Sequence, residues 1–309
     1  MFDIDYVFPW VNDMDPVWKN TYINYCRSHN DITRLGQIKR ERYRDWGLLK
    51  FLLRAIAKNM PWIRKLHLIV SNIEQVPQWV NQEQVHIVLH EQIMPAQCRP
   101  TFNSTTIEMF LPNIPDLAEH FIYGNDDIYP LLPTEPTDWF TESGIPCYNM
   151  REIVQSKIQN KQFRVVCANQ WWKLQKLLNQ PVDKKYYKRP WHGLVPMVVS
   201  KCNEVLDLIG RENILKTTSA FRKDTNMNQY IYTDYLDLIG YRQNGRVEFN
   251  YINIKIPTKM LLALESSKAH VVCINDCAIS TTPMQLAQTQ ILCAKIFEKR
   301  FPEKCKYEN

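Results

Sequence analysis

The chain carries Phe121-Ile122-Tyr123-Gly124-Asn125-Asp126-Asp127-Ile128, and the reading of this stretch decides what the rest can be. Its apolar opening forms a short buried strand. The strand ends abruptly in an amide and two adjacent carboxylates. Like charges side by side repel, and folded proteins tolerate them mainly where a cation, a proton or solvent relieves the repulsion. In α/β proteins the carboxyl end of a strand is also where ligands bind. The stretch therefore points to an α/β fold whose strand end serves a metal-assisted reaction on a phosphate-bearing ligand. A solvated Asn-Asp-Asp turn is the ordinary alternative.

Strands and helices alternate on the N-terminal side of this stretch. Ile4 to Val11 reads as a first strand that breaks at Asn12-Asp13-Met14-Asp15-Pro16. Leu48, Leu49, Leu52, Leu53 and Ile56 share one helical face, and that helix stops near Asn59, before Pro61. Leu66 to Val70 and Val85 to Leu89 read as further strands. Thr105 and Glu108 have capping-box spacing for a helix carrying Ile107, Phe110 and Leu111. Such alternation predicts a Rossmann-like, mostly parallel sheet flanked by helices. Residues 1–150 are expected to form its Rossmann-like, ligand-binding half. Residues 151–309 read as a helical or mixed half that closes over it in one integrated catalytic domain. There, Trp171 to Leu178, Asn203 to Ile209 and Met284 to Phe301 look helical, while Val247 to Ile256 and Val271 to Ile274 look extended.

Composition narrows the function classes. A chain of 309 residues with 45% hydrophobic content and only eight glycines is neither a linker nor a disordered protein. A net charge of +6 without a dense Lys/Arg stripe suits an anionic substrate, or weak attraction to an anionic membrane surface, rather than duplex nucleic acid. The nine cysteines are odd in number and scattered, and Cys273 and Cys277 have no His or Cys partners for zinc. Free thiols in a reducing cytoplasm are expected. No apolar run approaches the roughly 18 residues of a membrane span, and no signal peptide is visible at Met1. P-loop, dinucleotide and hydrolase-elbow motifs are absent, so catalysis must rest on carboxylates, Arg and His.

Five clusters supply such groups. Trp10, Asn12, Asp13 and Asp15 follow the first strand and suit a ribose, base or cation; an Asx-turn capping the next helix, with Pro16 at its first position, is the alternative. Arg40-Glu41-Arg42-Tyr43-Arg44-Asp45 places guanidinium forks near a helix N-terminus, as phosphate recognition requires, with Asp45 a candidate N-cap. Asn103 and Ser104 are candidates for ligand hydrogen bonds. His192 lies in Arg189-Pro190-Trp191-His192-Gly193, followed by Phe221-Arg222-Lys223-Asp224. Cys273-Ile274-Asn275-Asp276-Cys277 is a second strand that ends in Asn-Asp. Asp126, Asp127, Asn275 and Asp276 are hard oxygen donors suited to Mg²⁺ or Mn²⁺. Asp13, Asp126, His192, Arg222 and Asp276 are expected to line one cleft.

Taken in order, these clusters resemble the Stealth family of sugar-phosphate transferases, which includes bacterial capsular polysaccharide phosphotransferases and the animal lysosomal-enzyme N-acetylglucosamine-1-phosphotransferase. Four blocks carry the resemblance across nearly the whole chain. They are Ile4 to Trp18; Arg42-Tyr43-Arg44-Asp45 through Phe102-Asn103-Ser104 and Glu108 to Asn125-Asp126-Asp127; His192 with Phe221-Arg222; and Cys273-Ile274-Asn275-Asp276. The chain departs from the family pattern at Trp46, at Ser71-Asn72-Ile73 and in the pairing of proline with His192, which bears on sugar or acceptor preference.

The resemblance implies transfer of a sugar 1-phosphate, such as N-acetylhexosamine 1-phosphate, from a UDP-sugar to a saccharide or polyol hydroxyl. UMP is released, and the phosphodiester enters a capsule or cell-surface polysaccharide. It also implies that His192 and Arg222 engage the donor pyrophosphate, with Asp126 and Asp127 completing the catalytic set. A metal-dependent glycosyltransferase would use similar carboxylates but release UDP. A non-catalytic carbohydrate-binding protein would turn over nothing.

Overall fold

Ile4-Asp5-Tyr6-Val7-Phe8-Pro9 is almost wholly buried because both of its faces are covered, as a central parallel strand requires. It is β1 (Ile4–Pro9) of a computed structural model that describes residues 2–31, 42–158, 162–254, 257–276 and 282–309. Arg40, Glu41 and Cys277 lie outside the described residues, as does the end of the extended segment expected up to Ile256.

After β1 come α1 (Pro16–Ser28), α2 (Leu49–Asn59), β2 (Leu66–Val70), β3 (Val85–Leu89) and α3 (Ser104–Glu108). β4 (His120–Tyr123) and β5 (Ile128–Pro130) flank the acidic turn. The chain continues through β6 (Met150–Val154), α4 (Gln162–Leu177), β7 (Tyr186–Pro190) and β8 (Val195–Val198). α5 (Val199–Ile209), α6 (Arg211–Thr217), α7 (Tyr230–Leu238), β9 (Phe249–Ile254), α8 (Pro257–Glu265), β10 (Val271–Asp276) and α9 (Pro283–Arg300) complete it.

The main sheet runs β3-β2-β1-β4-β8, parallel except for β8. This is the α/β, Rossmann-like sheet that the alternation predicts. Helix α2 lays Phe51, Leu52, Leu53 and Ile56 on one face of the sheet, in a single core with Tyr6, Phe8 and Leu68. Val7, Ile69, Phe121 and Tyr123 point to the other face and pack with α5 and α7. A smaller sheet runs β5-β10-β9, and β6 pairs with β7. The strand that follows the acidic turn thus leaves the main sheet and pairs with β10, the other strand ending in Asn-Asp. Among the described residues no helix is long and apolar enough to cross a membrane.

The amino end of β1 carries a buried charge network. The Asp5 carboxylate is fully buried and accepts hydrogen bonds from Arg64 at 2.9 and 2.6 Å, from His67 Nε2 at 2.9 Å and from the Ala118 amide at 2.8 Å. Burial raises its pKa, but the bonds from His67, Arg64 and Ala118 outweigh that and lower it from 3.8 to about 2. A carboxyl with a depressed folded pKa contributes stability that is present above pH 4 and lost as pH falls toward 2; the shift corresponds to about 2 kcal/mol. Asp5→Ala is expected to cost about 3 kcal/mol in urea unfolding at pH 7, because it strands its buried partners. The variant should also lose the acid limb of stability between pH 4 and 2, which melts across that range would reveal.

Candidate active site

β1 and β4 are neighbours at the point where the strand order reverses, and a cleft necessarily forms beyond their carboxyl ends. Here it is a cavity of about 960 Å³. Gly124 turns the chain at its floor: a Cβ there would lie 2.6 Å from Leu194 Cδ2 and 2.7 Å from the Tyr6 hydroxyl. Only glycine lets β4 pass this close and still deliver Asn125, Asp126 and Asp127 to the cavity.

Asp127 is fixed to the second sheet. Its carbonyl accepts the Ile274 amide at 2.8 Å, and its Oδ2 accepts the Cys273 thiol at 3.6 Å. Its Oδ1 is buried without a hydrogen-bond partner, as is Asn125 Oδ1. Burial pushes the Asp127 carboxyl up to about 6. Burial, then the charges of Asp127 and Asp45, hold Asp126 well above the usual carboxylate range. Burial thus keeps both acids above the ordinary carboxylate range.

The cationic side comes from distant elements. His192 Nδ1 lies 2.8 Å from the Tyr230 hydroxyl, at the start of α7. Burial, and then the nearby Arg189, Arg222 and Arg151, push His192 down to about 4, so its imidazole is neutral at pH 7. Arg222 Nη2 donates to Ser104 Oγ at 2.8 Å, and its charge acts on Asp127, Glu108 and His192. Asp127, His192 and Cys273 bring ligand-type atoms within 4.8 Å of one another.

Of the residues read from sequence, Trp10, Arg42, Arg44, Asn103, Ser104, Asn125, Asp126, Asp127, His192, Arg222, Asn275 and Asp276 line this cavity. Asn12, Asp13 and Asp15 do not. Asp15 is the N-cap of α1, accepting the Trp18 amide at 2.7 Å ahead of Pro16, and Asn12 Oδ1 accepts the Met14 amide at 2.9 Å. At these positions the ordinary Asx-turn reading prevails.

Other assignments change as well. The cap of α3 is Asn103, not Thr105. Its carboxamide is consumed by Thr105, Thr106, Ser219 and Asn226, so it shapes the wall. Glu108 forms no capping box. It is buried and accepts the Gln229 amide at 2.8 Å. Asp45 is not the cap of α2; it accepts the Gly47 amide at 2.9 Å and a bond from Trp10. Gly193, beside His192, admits the Phe249 ring, which a Cβ would meet at 2.2 Å.

The proposed ligand set for a divalent cation divides. Asp276 Oδ2 accepts Arg44 Nη1 at 2.9 Å and Trp46 Nε1 at 3.0 Å, and Asn275 Nδ2 bonds Asn253 Oδ1 at 2.9 Å. Trp46, a departure from the family pattern, therefore still supplies a polar group here. Asn125, Asp126 and Asp127 are better suited to the ion: they bring hard oxygens to one strand end, two of them buried and unpartnered.

Arg151, Arg189, Tyr230 and Glu108 also line the cavity, and sequence reading did not give them site roles. The strand Tyr186-Tyr187-Lys188-Arg189-Pro190 points Tyr187 and Arg189 inward, and its charged sequence carries no local signal of that.

Comparison with known proteins finds polysaccharide phosphotransferases. Stealth protein CR2, conserved region 2, matches residues 42–148. An exopolysaccharide phosphotransferase of Lactiplantibacillus plantarum, cps2G, is 28% identical over 99% of this chain and 96% of its own length. The capsular polysaccharide phosphotransferase WcwK of Streptococcus pneumoniae is 30% identical over 100% of this chain and 98% of its own. The crystal structure of the galactosyltransferase LgtC, bound to donor and acceptor sugar analogues, aligns with 96% of this chain and 95% of its own. The TM-score is 0.44 at 10% identity.

Proposed function

This chain belongs to the Stealth family of polysaccharide phosphotransferases, and from that premise we propose that it moves a sugar 1-phosphate from a UDP-sugar to a saccharide or polyol hydroxyl. UMP is released, and the new phosphodiester enters a capsule or cell-surface polysaccharide. The observation that carries this reading is the meeting of Asp126 and Asp127 with His192 and Arg222 in one cavity at the strand-order reversal.

In the proposed reaction the acceptor oxygen forms a bond to the phosphorus that bears the sugar. The bond from that phosphorus to the oxygen shared with UMP breaks, and UMP leaves with the electron pair. Asn125, Asp126 and Asp127 would hold Mg²⁺ or Mn²⁺, which neutralises pyrophosphate oxygens when bound. Arg222, oriented by Ser104, offers its guanidinium to the phosphoryl oxygens as charge builds on them. His192, oriented by Tyr230, takes the acceptor proton. Its low basicity in the free protein owes part to Arg189, Arg222 and Arg151, and an anionic donor beside Arg222 offsets that arginine's share. The imidazole thus gains basicity when substrate is in place.

The nucleotide product tests the reading. Incubation with UDP-N-acetylglucosamine and other nucleotide-sugars, Mg²⁺ or Mn²⁺ and a saccharide acceptor is expected to release UMP, scored by anion-exchange chromatography. Release of UDP instead would mean that the sugar–oxygen bond breaks and the enzyme is a glycosyltransferase.

A further inference from the structure

Two arginines of the cavity wall form no ion pair among the described residues. Arg151 and Arg189 stand directly opposite each other in the antiparallel β6–β7 pair, an arrangement in which like charges repel. Arg189 is only 7% exposed, and its Nε and Nη1 are buried without hydrogen-bond partners; Arg151 Nε is likewise buried and unpartnered. Among the described residues no carboxylate comes within ion-pair distance of either. Asp234, whose carboxyl feels the charge of Arg189, is buried and bonded to Gln170.

The surroundings of the pair are aromatic. Trp191 lies 4.4 Å from the Arg151 guanidinium, and Phe163 and Tyr230 lie 5.3 and 5.8 Å from that of Arg189. Ring faces balance part of the charge and the Tyr230 hydroxyl accepts from Arg189, but Arg189 Nε and Nη1 and Arg151 Nε stay unanswered. Trp191, Phe163 and Tyr251 are 45%, 40% and 41% exposed although all three line the cavity. Open aromatic faces beside polar groups are platforms for sugar rings.

We propose that Arg151 and Arg189 form an oxyanion subsite for the acceptor, which is an acidic saccharide carrying a phosphate or carboxylate next to the sugar that is attacked. Three unpartnered donor nitrogens, Arg189 Nε and Nη1 and Arg151 Nε, offer more donors than one oxygen can accept, so a multi-oxygen group is the matching ligand. In naming the acceptor, the inference rests on the function proposed above. There the donor pyrophosphate meets Arg222 and the Asp126–Asp127 end of β4, which leaves the β6–β7 pair to a second anion. A chain that grows through phosphodiesters presents such an anion close to its attacking end.

Calorimetric titration tests this with glucose 6-phosphate, glucose and UMP on the wild type, Arg151→Gln and Arg189→Lys. Arg189→Lys keeps the charge and removes the fork, and Arg151→Gln also relieves repulsion, so its melting temperature is expected to match or exceed that of the wild type. Glucose 6-phosphate should bind the wild type at least about tenfold tighter than glucose, and both variants should lose about tenfold of that affinity. UMP affinity should change less than about twofold. An equal loss of UMP affinity would assign the pair to the donor and overturn the proposal. Unaltered glucose 6-phosphate binding in a folded variant, or none to the wild type, would overturn it too. UMP binding by the wild type tests the donor reading separately.

Discussion

Asp126→Asn and Asp127→Asn are each expected to lower UMP release by about a thousandfold, close to 4 kcal/mol of transition-state stabilisation, without loss of folded protein. The first part follows from charge. Without a carboxylate at either position the β4 end is a weaker site for a divalent ion, and the pyrophosphate loses its neutralising partner. The second part follows from the stress on the free acids, whose pKa values are raised by burial and then by neighbouring acids, Asp127 and Asp45 on Asp126 and Asp276 on Asp127. An amide of the same shape removes a charge that the fold does not favour.

The pH dependence carries the same signature. A carboxyl with a raised folded pKa binds more protons folded than unfolded, so its contribution to stability is present below pH 4. That contribution is lost as pH rises through about 6, the value for Asp127. In EDTA the wild type should therefore lose stability across this window, and Asp127→Asn should lose less. Mn²⁺ should restore wild-type stability at pH 7 more than at pH 5, because protons compete with the ion. Full UMP release in EDTA, or variants as active as the wild type, would remove the carboxylates from the reaction.

How legible all this was depended on the range of the interactions that decided each element. β2 and β3 fall at Leu66–Val70 and Val85–Leu89, because short runs dominated by Leu, Ile and Val read locally as strands even with His67 and His86 inside them. Helix α2 was legible from its leucine stripe. β6 and β7 were not, because their sequences, MREIV and YYKRP, carry charges on inward positions that only a cavity makes tolerable. β5 is three residues long and owes its existence to β10, far along the chain.

The site divides in the same way. The strand-end acids Asp126 and Asp127 were readable because adjacent carboxylates need a reason. Asn12, Asp13 and Asp15 look equally promising in sequence, yet the turn and the helix cap engage Asn12 and Asp15 within three residues. Asp276 was placed in the cavity correctly, but its partner Arg44 is 232 residues away, and no local pattern foretells that ion pair. Glu108 has the spacing of a cap and the burial of a core residue; tertiary contact with Gln229 decided between them.

Arg222→Lys should impair turnover nearly as severely as loss of an acid, although the charge is kept. Arg222 is exposed to the cavity, where Nη2 bonds Ser104 Oγ and leaves the remaining guanidinium donors to the ligand. A planar fork can engage two oxygens of a phosphoryl group at once. A lysine ammonium is a point charge on a flexible stem and cannot hold both. If that bidentate contact strengthens as the phosphoryl group transfers, its loss costs about 2–4 kcal/mol, or two to three orders of magnitude in kcat. Ser104→Ala removes the anchor of the guanidinium and a bond to Glu108 but leaves the fork itself, so its effect should be smaller, roughly 0.5–1.5 kcal/mol per hydrogen bond lost. Steady-state UMP release resolves the two. Arg222→Lys should lower kcat more than it raises KM, since a contact that merely bound the donor would move KM alone. Near-normal kcat in Arg222→Lys would take Arg222 out of the reacting phosphate's contacts while leaving the family membership intact.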